Sequence, residues 1–186
     1  GRMAAATGAQ VVNSLVNIEG ELNAPTVSNI KGRIIIGGDV ISHTGTMDVS
    51  GTQAGSVTIS GNKVLQQGRI KADSSAGKGG SVAIAYKKAY LDNEASRASA
   101  NGNGSNGGDV RVIGDTGSHA FISGNYDVSS DTGTGGTVDI TAAGGDLKLF
   151  GAHVNADGRT GGGDIHVGGE YQGGGTLAHA ATTGIN

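Results

Sequence analysis

A phrase of two small residues, one more small or polar residue and then apolar-x-apolar occurs five times along this chain, as AGSVTI, GGSVAI, GGDVRV, GGTVDI and GGDIHV. Its first apolar residues are Val57, Val82, Val110, Val138 and Ile165, at intervals of 25, 28, 28 and 27 residues. Self-similarity at that period marks a solenoid in which each repeat is one coil. The apolar partners Ile59, Ile84, Val112, Ile140 and Val167 follow two residues on, and the residues between, Thr58, Ala83, Arg111, Asp139 and His166, are chemically mixed. A period of two sends the apolar columns inward and the mixed column outward on a strand.

A second phrase precedes each glycine pair, as TMDVSG, RIKADS, SRASAN, NYDVSS and HVNADG. It supplies inward columns of Met47, Ile70, Ala98, Tyr126 and Val154, then Val49, Ala72, Ala100, Val128 and Ala156. A looser apolar strand carrying Leu65, Leu91, Ile122, Leu149 and Leu177 completes the coil. The expected fold is therefore all-β: a right-handed parallel β-helix with three short strands per coil of about 23–28 residues. Residues 1–29 are expected as an irregular leading segment or partial coil. Residues 30–186 form roughly six coils of what reads as a fragment of a longer filament. One coil cannot bury its own face, so neighbouring coils stabilise one another.

Glycine supplies 37 of 186 residues against a single proline, and its pairing excludes the every-third-residue pattern of collagen. Apolar runs such as Arg33 to Ile36 and Asp146 to Phe150 argue against disorder. The pairs Gly79-Gly80, Gly107-Gly108, Gly135-Gly136 and Gly162-Gly163 fit corners, which need positive φ and room for close backbone approach. They do not fit phosphate cradles, because no Gly-Lys-Ser/Thr follows them. The formal net charge of −3, without a basic run, gives no footing for nucleic acid. There is no cysteine for a disulfide or thiolate site, and no apolar stretch long enough to insert in a bilayer.

Segments 101–106 (NGNGSN) and 115–118 (DTGS) are expected as protruding loops. Asn103-Gly104-Ser105 matches an N-glycosylation sequon. Arg111, Asp139 and His166 lie on successive coils of the outward column, where Arg111 and Asp139 are expected to form a surface ion pair. A catalytic reading would make the same three residues a base, an acid and a cation. Parallel β-helices that bind or cleave polysaccharide would also need exposed aromatics, which Tyr86, Tyr90 and Tyr171 could supply along one face, with Phe121 and Tyr126 filling the interior. His153, His166 and His179 recur every 13 residues but fall on different faces, and the calcium-binding nonapeptide is absent. No catalytic residue, metal or cofactor is expected. The surface candidates for ligand contact are Asn103, Arg111, Asp139, His166 and Tyr171.

The phrase VNADGRTGGGDIHVGGEYQG, Val154 to Gly173, resembles one recurrent in the shafts of two-partner-secreted exoproteins, the filamentous-haemagglutinin-like adhesins. Glu170 stands where that family usually has aspartate, and the stretch from Thr46 to Gly80 is similar to the same repeats. The resemblance spans about four-fifths of the chain, by architecture more than by one motif. It implies a β-helix exported by an outer-membrane transporter and displayed or released at the bacterial surface. Its implied roles are host attachment, aggregation or biofilm, with a host-cell receptor or glycan, or another adhesin molecule, as partner. The family's amino-terminal secretion domain is not recognisable here, so this stretch is expected in the shaft or in a functional patch along it.

Overall fold

A computed structural model describes residues 15–24, 31–170 and 174–186. Among them are sixteen strands and no helix. The first turns contribute β1 (Leu15–Ile18), β2 (Glu21–Asn23), β3 (Arg33–His43), β4 (Thr46–Asp48), β5 (Ser56–Gln66) and β6 (Arg69–Lys71). The middle turns contribute β7 (Ser81–Asp92), β8 (Arg97–Ser99), β9 (Asp109–Gly114), β10 (His119–Ile122) and β11 (Asn125–Asp127). The last contribute β12 (Thr137–Ala142), β13 (Asp146–Leu149), β14 (His153–Asn155), β15 (Asp164–Val167) and β16 (Thr182–Ile185). Strands from successive turns pair in parallel, giving a β-solenoid of about five turns. The fold is a parallel β-helix.

Each turn has three sides. The first begins at Arg33, Ser56, Ser81, Asp109, Thr137 and Asp164, which are register partners along the rod. The second carries β1, β10, β13, β16 and the latter halves of β3, β5 and β7. The third is a separate sheet in the order β14-β11-β8-β6-β4-β2. β3, β5 and β7 run unbroken from the first side into the second, through a register shift between Gly61 and Lys63 where β5 meets β7. In later turns the same path is split, between β9 and β10 by Asp115–Ser118 and between β12 and β13 by 143–145. Asp115, Thr116 and Gly117 are exposed, so this expected loop does lie outside the coil.

The first side keeps the register expected from the repeat: Val57, Val82, Val110 and Val138 are buried in one column, and Ile59, Ile84, Val112 and Ile140 in the next. The third side does likewise with Met47, Ile70, Ala98 and Tyr126. The second side corrects the expected apolar strand. Its inward columns are Ile41, Val64, Tyr90, Ala120, Leu147 and, two residues on, His43, Gln66, Asp92, Ile122, Leu149. Leu65 and Leu91 sit one residue out of phase on the outer surface, and Leu177 lies outside the strands. Large apolar residues were a poor guide here because this interior column is polar in three turns.

Those polar residues are partnered inside the coil. His43 Nδ1 is 2.7 Å from Gln66 Oε1, and Gln66 Nε2 donates to the Gly68 carbonyl at 3.1 Å. Asp92 accepts from the backbone N–H of Ser123 and of Gly124 and from the Tyr126 hydroxyl, which is itself 3.0 Å from the Tyr90 hydroxyl. Burial pushes the Asp92 carboxyl up, against the opposing pull of these donors.

The glycine corners owe their residue type to close approach. A Cβ on Gly107 would lie 1.9 Å from the Val128 carbonyl oxygen, and one on Gly136 1.9 Å from that of Gly108. Positive φ, expected at these pairs, is found instead at other glycines such as Gly104 and Gly117. At these two positions stacked backbones leave no space for a side chain, whatever its φ, whereas a Cβ on Gly162 would meet nothing nearer than 4.0 Å.

Candidate functional site

The outward column of the first side runs Ile35, Thr58, Ala83, Arg111, Asp139, His166. The solenoid forms the expected pair, with Arg111 Nε 2.8 Å from Asp139 Oδ2, and adds a contact that the spacing does not predict, with His166 Nδ1 2.8 Å from Asp139 Oδ1. Asp139 is only 3% exposed although it belongs to the outward column, with Arg111 and His166 bonded to it from the turns on either side. Both carboxylate oxygens are engaged, so the trio braces three turns rather than presenting a free acid or base. Beside it, Glu170 accepts the backbone N–H groups of Leu177 and Thr176, which hold its carboxyl below the usual carboxylate range.

The other sequence candidates disperse. Asn103 lies exposed on the corner after the third side, outside the Asp139 column, and its backbone N–H donates to the Ser74 carbonyl at 3.1 Å. The segment 101–106 is not an insertion. Gly102 bridges Ser74 on one neighbouring turn and Ser130 on the other, and the corners after those residues have the same length. The expected protruding loop is thus a stacked corner, held by its neighbours: Thr134 N–H donates to Asn106 Oδ1 and Gly104 N–H to Thr132 Oγ1. Tyr171 lies outside the described residues.

The aromatics settle one open question and reverse one expectation. Tyr86 and Tyr90 are buried, at 1% and 0% exposure, and Tyr86 donates to the Thr141 carbonyl at 2.7 Å. Tyr126 fills the interior as expected. Phe121, expected inside, is 41% exposed and stacks on Phe150 with ring centroids 4.7 Å apart. It occupies the outward position opposite Leu91, so the phase error that misplaced Leu91 misplaced Phe121 too. Among the described residues no group of three His, Cys, Asp or Glu is placed to hold a metal ion.

A further surface was not singled out from the sequence. Along the third side the outward residues preceding the buried column are Thr46, Arg69, Arg97, Asn125 and His153. All of these but Thr46, with Lys71, Ser99, Asp127 and Asn155, border a groove of about 300 Å³. The signal is present in the second repeated phrase, at the residue just before each inward one, but its meaning depends on which of these residues find partners. No protein-family model, no curated protein and no solved structure matches this chain.

Proposed function

We propose that this chain is a structural and adhesive segment of a large secreted bacterial surface protein of the two-partner-secretion, filamentous-haemagglutinin-like kind. The reading rests on the resemblance of Val154 to Gly173 and on one structural observation: a parallel ladder that runs unbroken through β1-β3-β5-β7-β10-β13-β16. Seven strands at one spacing each make a rod about 30 Å long. Such a rod is stiff because every turn is hydrogen-bonded to the next, and stiffness is what holds a binding surface away from a cell. The function needs no catalytic residue. The Arg111–Asp139–His166 trio serves it as a brace, its carboxylate already occupied on both oxygens.

In this reading the full-length protein leaves the cell through an outer-membrane transporter and meets a host-cell receptor, a glycan or another adhesin molecule. Beads coated with the purified chain are expected to adhere saturably to epithelial cells or to one another. Release of reducing sugar from a polysaccharide panel, without adhesion, would replace the adhesive reading by an enzymatic one.

A further inference from the structure

Two outward columns run side by side along the third side, and they differ in how their polar groups are satisfied. In the second column Lys71 pairs with Asp48 at 3.3 Å, and Ser99 Oγ donates to Asp73 at 2.9 Å. Asp127 accepts from Ser129 N–H at 3.0 Å and from Asn101 Nδ2, and Asn155 Oδ1 accepts from Asp157 N–H at 2.9 Å. In the first column Arg69 and Arg97 are direct register partners on adjacent strands, and both are exposed. Neither guanidinium has a hydrogen-bond or ion-pair partner among the described residues.

Like charges directly opposite each other on neighbouring strands destabilise a sheet. A fold that pairs nearly every other charged side chain on this side therefore carries a local cost at Arg69 and Arg97. An anion in the groove would offset it. A guanidinium offers a planar fork of donors that matches carboxylate and sulfate oxygens, and two forks stand one strand apart, about 4.8 Å. Asn125 and His153 continue the column along the rod axis; Asn125 Nδ2 is spent on the Glu94 and Ser96 carbonyls at 3.2 and 3.3 Å, which leaves its Oδ1 as an acceptor and the His153 ring to meet hydroxyl groups. Among the described residues no exposed aromatic lines this groove to stack a nucleobase, since Tyr126 there is buried.

We propose that the groove of the third side binds an acidic polysaccharide, with Arg69 and Arg97 holding carboxylate or sulfate groups on neighbouring sugars. The inference rests on the adhesive reading and gives it a ligand class. It is tested with the whole chain passed over immobilised polygalacturonate, dextran sulfate, neutral dextran and single-stranded DNA. Three variants are compared with it: R69Q/R97Q, R97Q alone, and K87Q/K88Q, which removes the same charge from exposed lysines elsewhere.

The expected result is salt-sensitive retention on one or both acidic polysaccharides, weakened at least about tenfold in R69Q/R97Q and little changed in K87Q/K88Q. Preference for polygalacturonate or for dextran sulfate then identifies the acidic group. The arginine variants should keep or raise the melting temperature, whereas a merely structural role would lower it. Equal loss in both double variants, absence of retention on either acidic polysaccharide, or stronger retention on DNA would overturn the assignment. Bead adhesion separates the two readings: cells bound equally well by R69Q/R97Q leave adhesion standing without this groove. A groove that holds polysaccharide on beads that do not adhere leaves the groove without adhesion.

Discussion

His43 sits inside the coil as a neutral ring, its pKa lowered first by burial, with the bond to Gln66 opposing that shift. The unfolded chain therefore takes up this proton more readily than the folded one. His43 contributes stability that is present above its unfolded value near pH 6.5 and lost as pH falls through the lower folded value. Replacing it by the residue of the next turn, His43→Gln, should give a chain whose denaturation midpoint falls less between pH 7 and pH 5 than the parent's. Asp92 has the opposite sign. Its raised pKa makes its contribution largest below its unfolded value near 3.8, and that contribution is lost as pH rises through the folded value. At the corner, Gly136→Ala would press a methyl group onto the Gly108 carbonyl oxygen, and backbone must move to admit it. A loss of about 1–3 kcal/mol in urea unfolding is expected, as for other overpacked sites.

Between elements, Tyr126 of β11 links the third side to the second through Asp92 of β7. Tyr126→Phe keeps the ring volume but removes a donor from a buried carboxyl, which costs about 1–3 kcal/mol. Urea denaturation at neutral pH checks it, and an unchanged midpoint would mean that Tyr90 takes over the bond. The splitting of the long strand between β9 and β10 has a local cause. Two residues, Lys87 and Lys88, pass the corner in β7, but four, Asp115–Ser118, do so in the following turn. Extra residues leave the ladder and turn outward, with Gly117 at positive φ donating its N–H to the Ala143 carbonyl at 2.7 Å.

At the scale of the whole molecule, a turn contacts only the turns on either side of it, so stability is distributed along one dimension. Amides in β7, β9 and β12 have neighbours on both sides, whereas β16 pairs with β13 alone and β15 with β12 alone. Hydrogen exchange followed by mass spectrometry should show protection highest in the central turns and falling toward β1 and β15–β16. Uniform protection would mean that the rod unfolds as a single cooperative unit. Acid and salt act on separate parts of this rod: acid on the enclosed His43, salt on the exposed charges of the outer columns.

The spacing of glycine pairs and of apolar-x-apolar phrases was enough to establish the solenoid, its period and the inward columns of the first and third sides. Period two leaves no freedom once one face is buried, so those positions were legible residue by residue except in the last turn, where Ile165 keeps its register but is 46% exposed because β15 pairs with β12 alone. The same spacing places Arg111, Asp139 and His166 on one column, which makes the Arg111–Asp139 pair legible, whereas the sequence leaves His166 a solvated histidine and only the packed coil joins it to Asp139. The second side was not legible, because its interior holds His43, Gln66 and Asp92 while Leu65, Leu91 and Phe121 face outward. Hydrophobic pattern points inward only where apolar groups fill the interior, and here hydrogen bonds from other turns make polar groups tenable. Partner choice was likewise a tertiary matter: the sequence puts Arg69 and Arg97 in register, and only the packed third side leaves both of them unpaired in a groove.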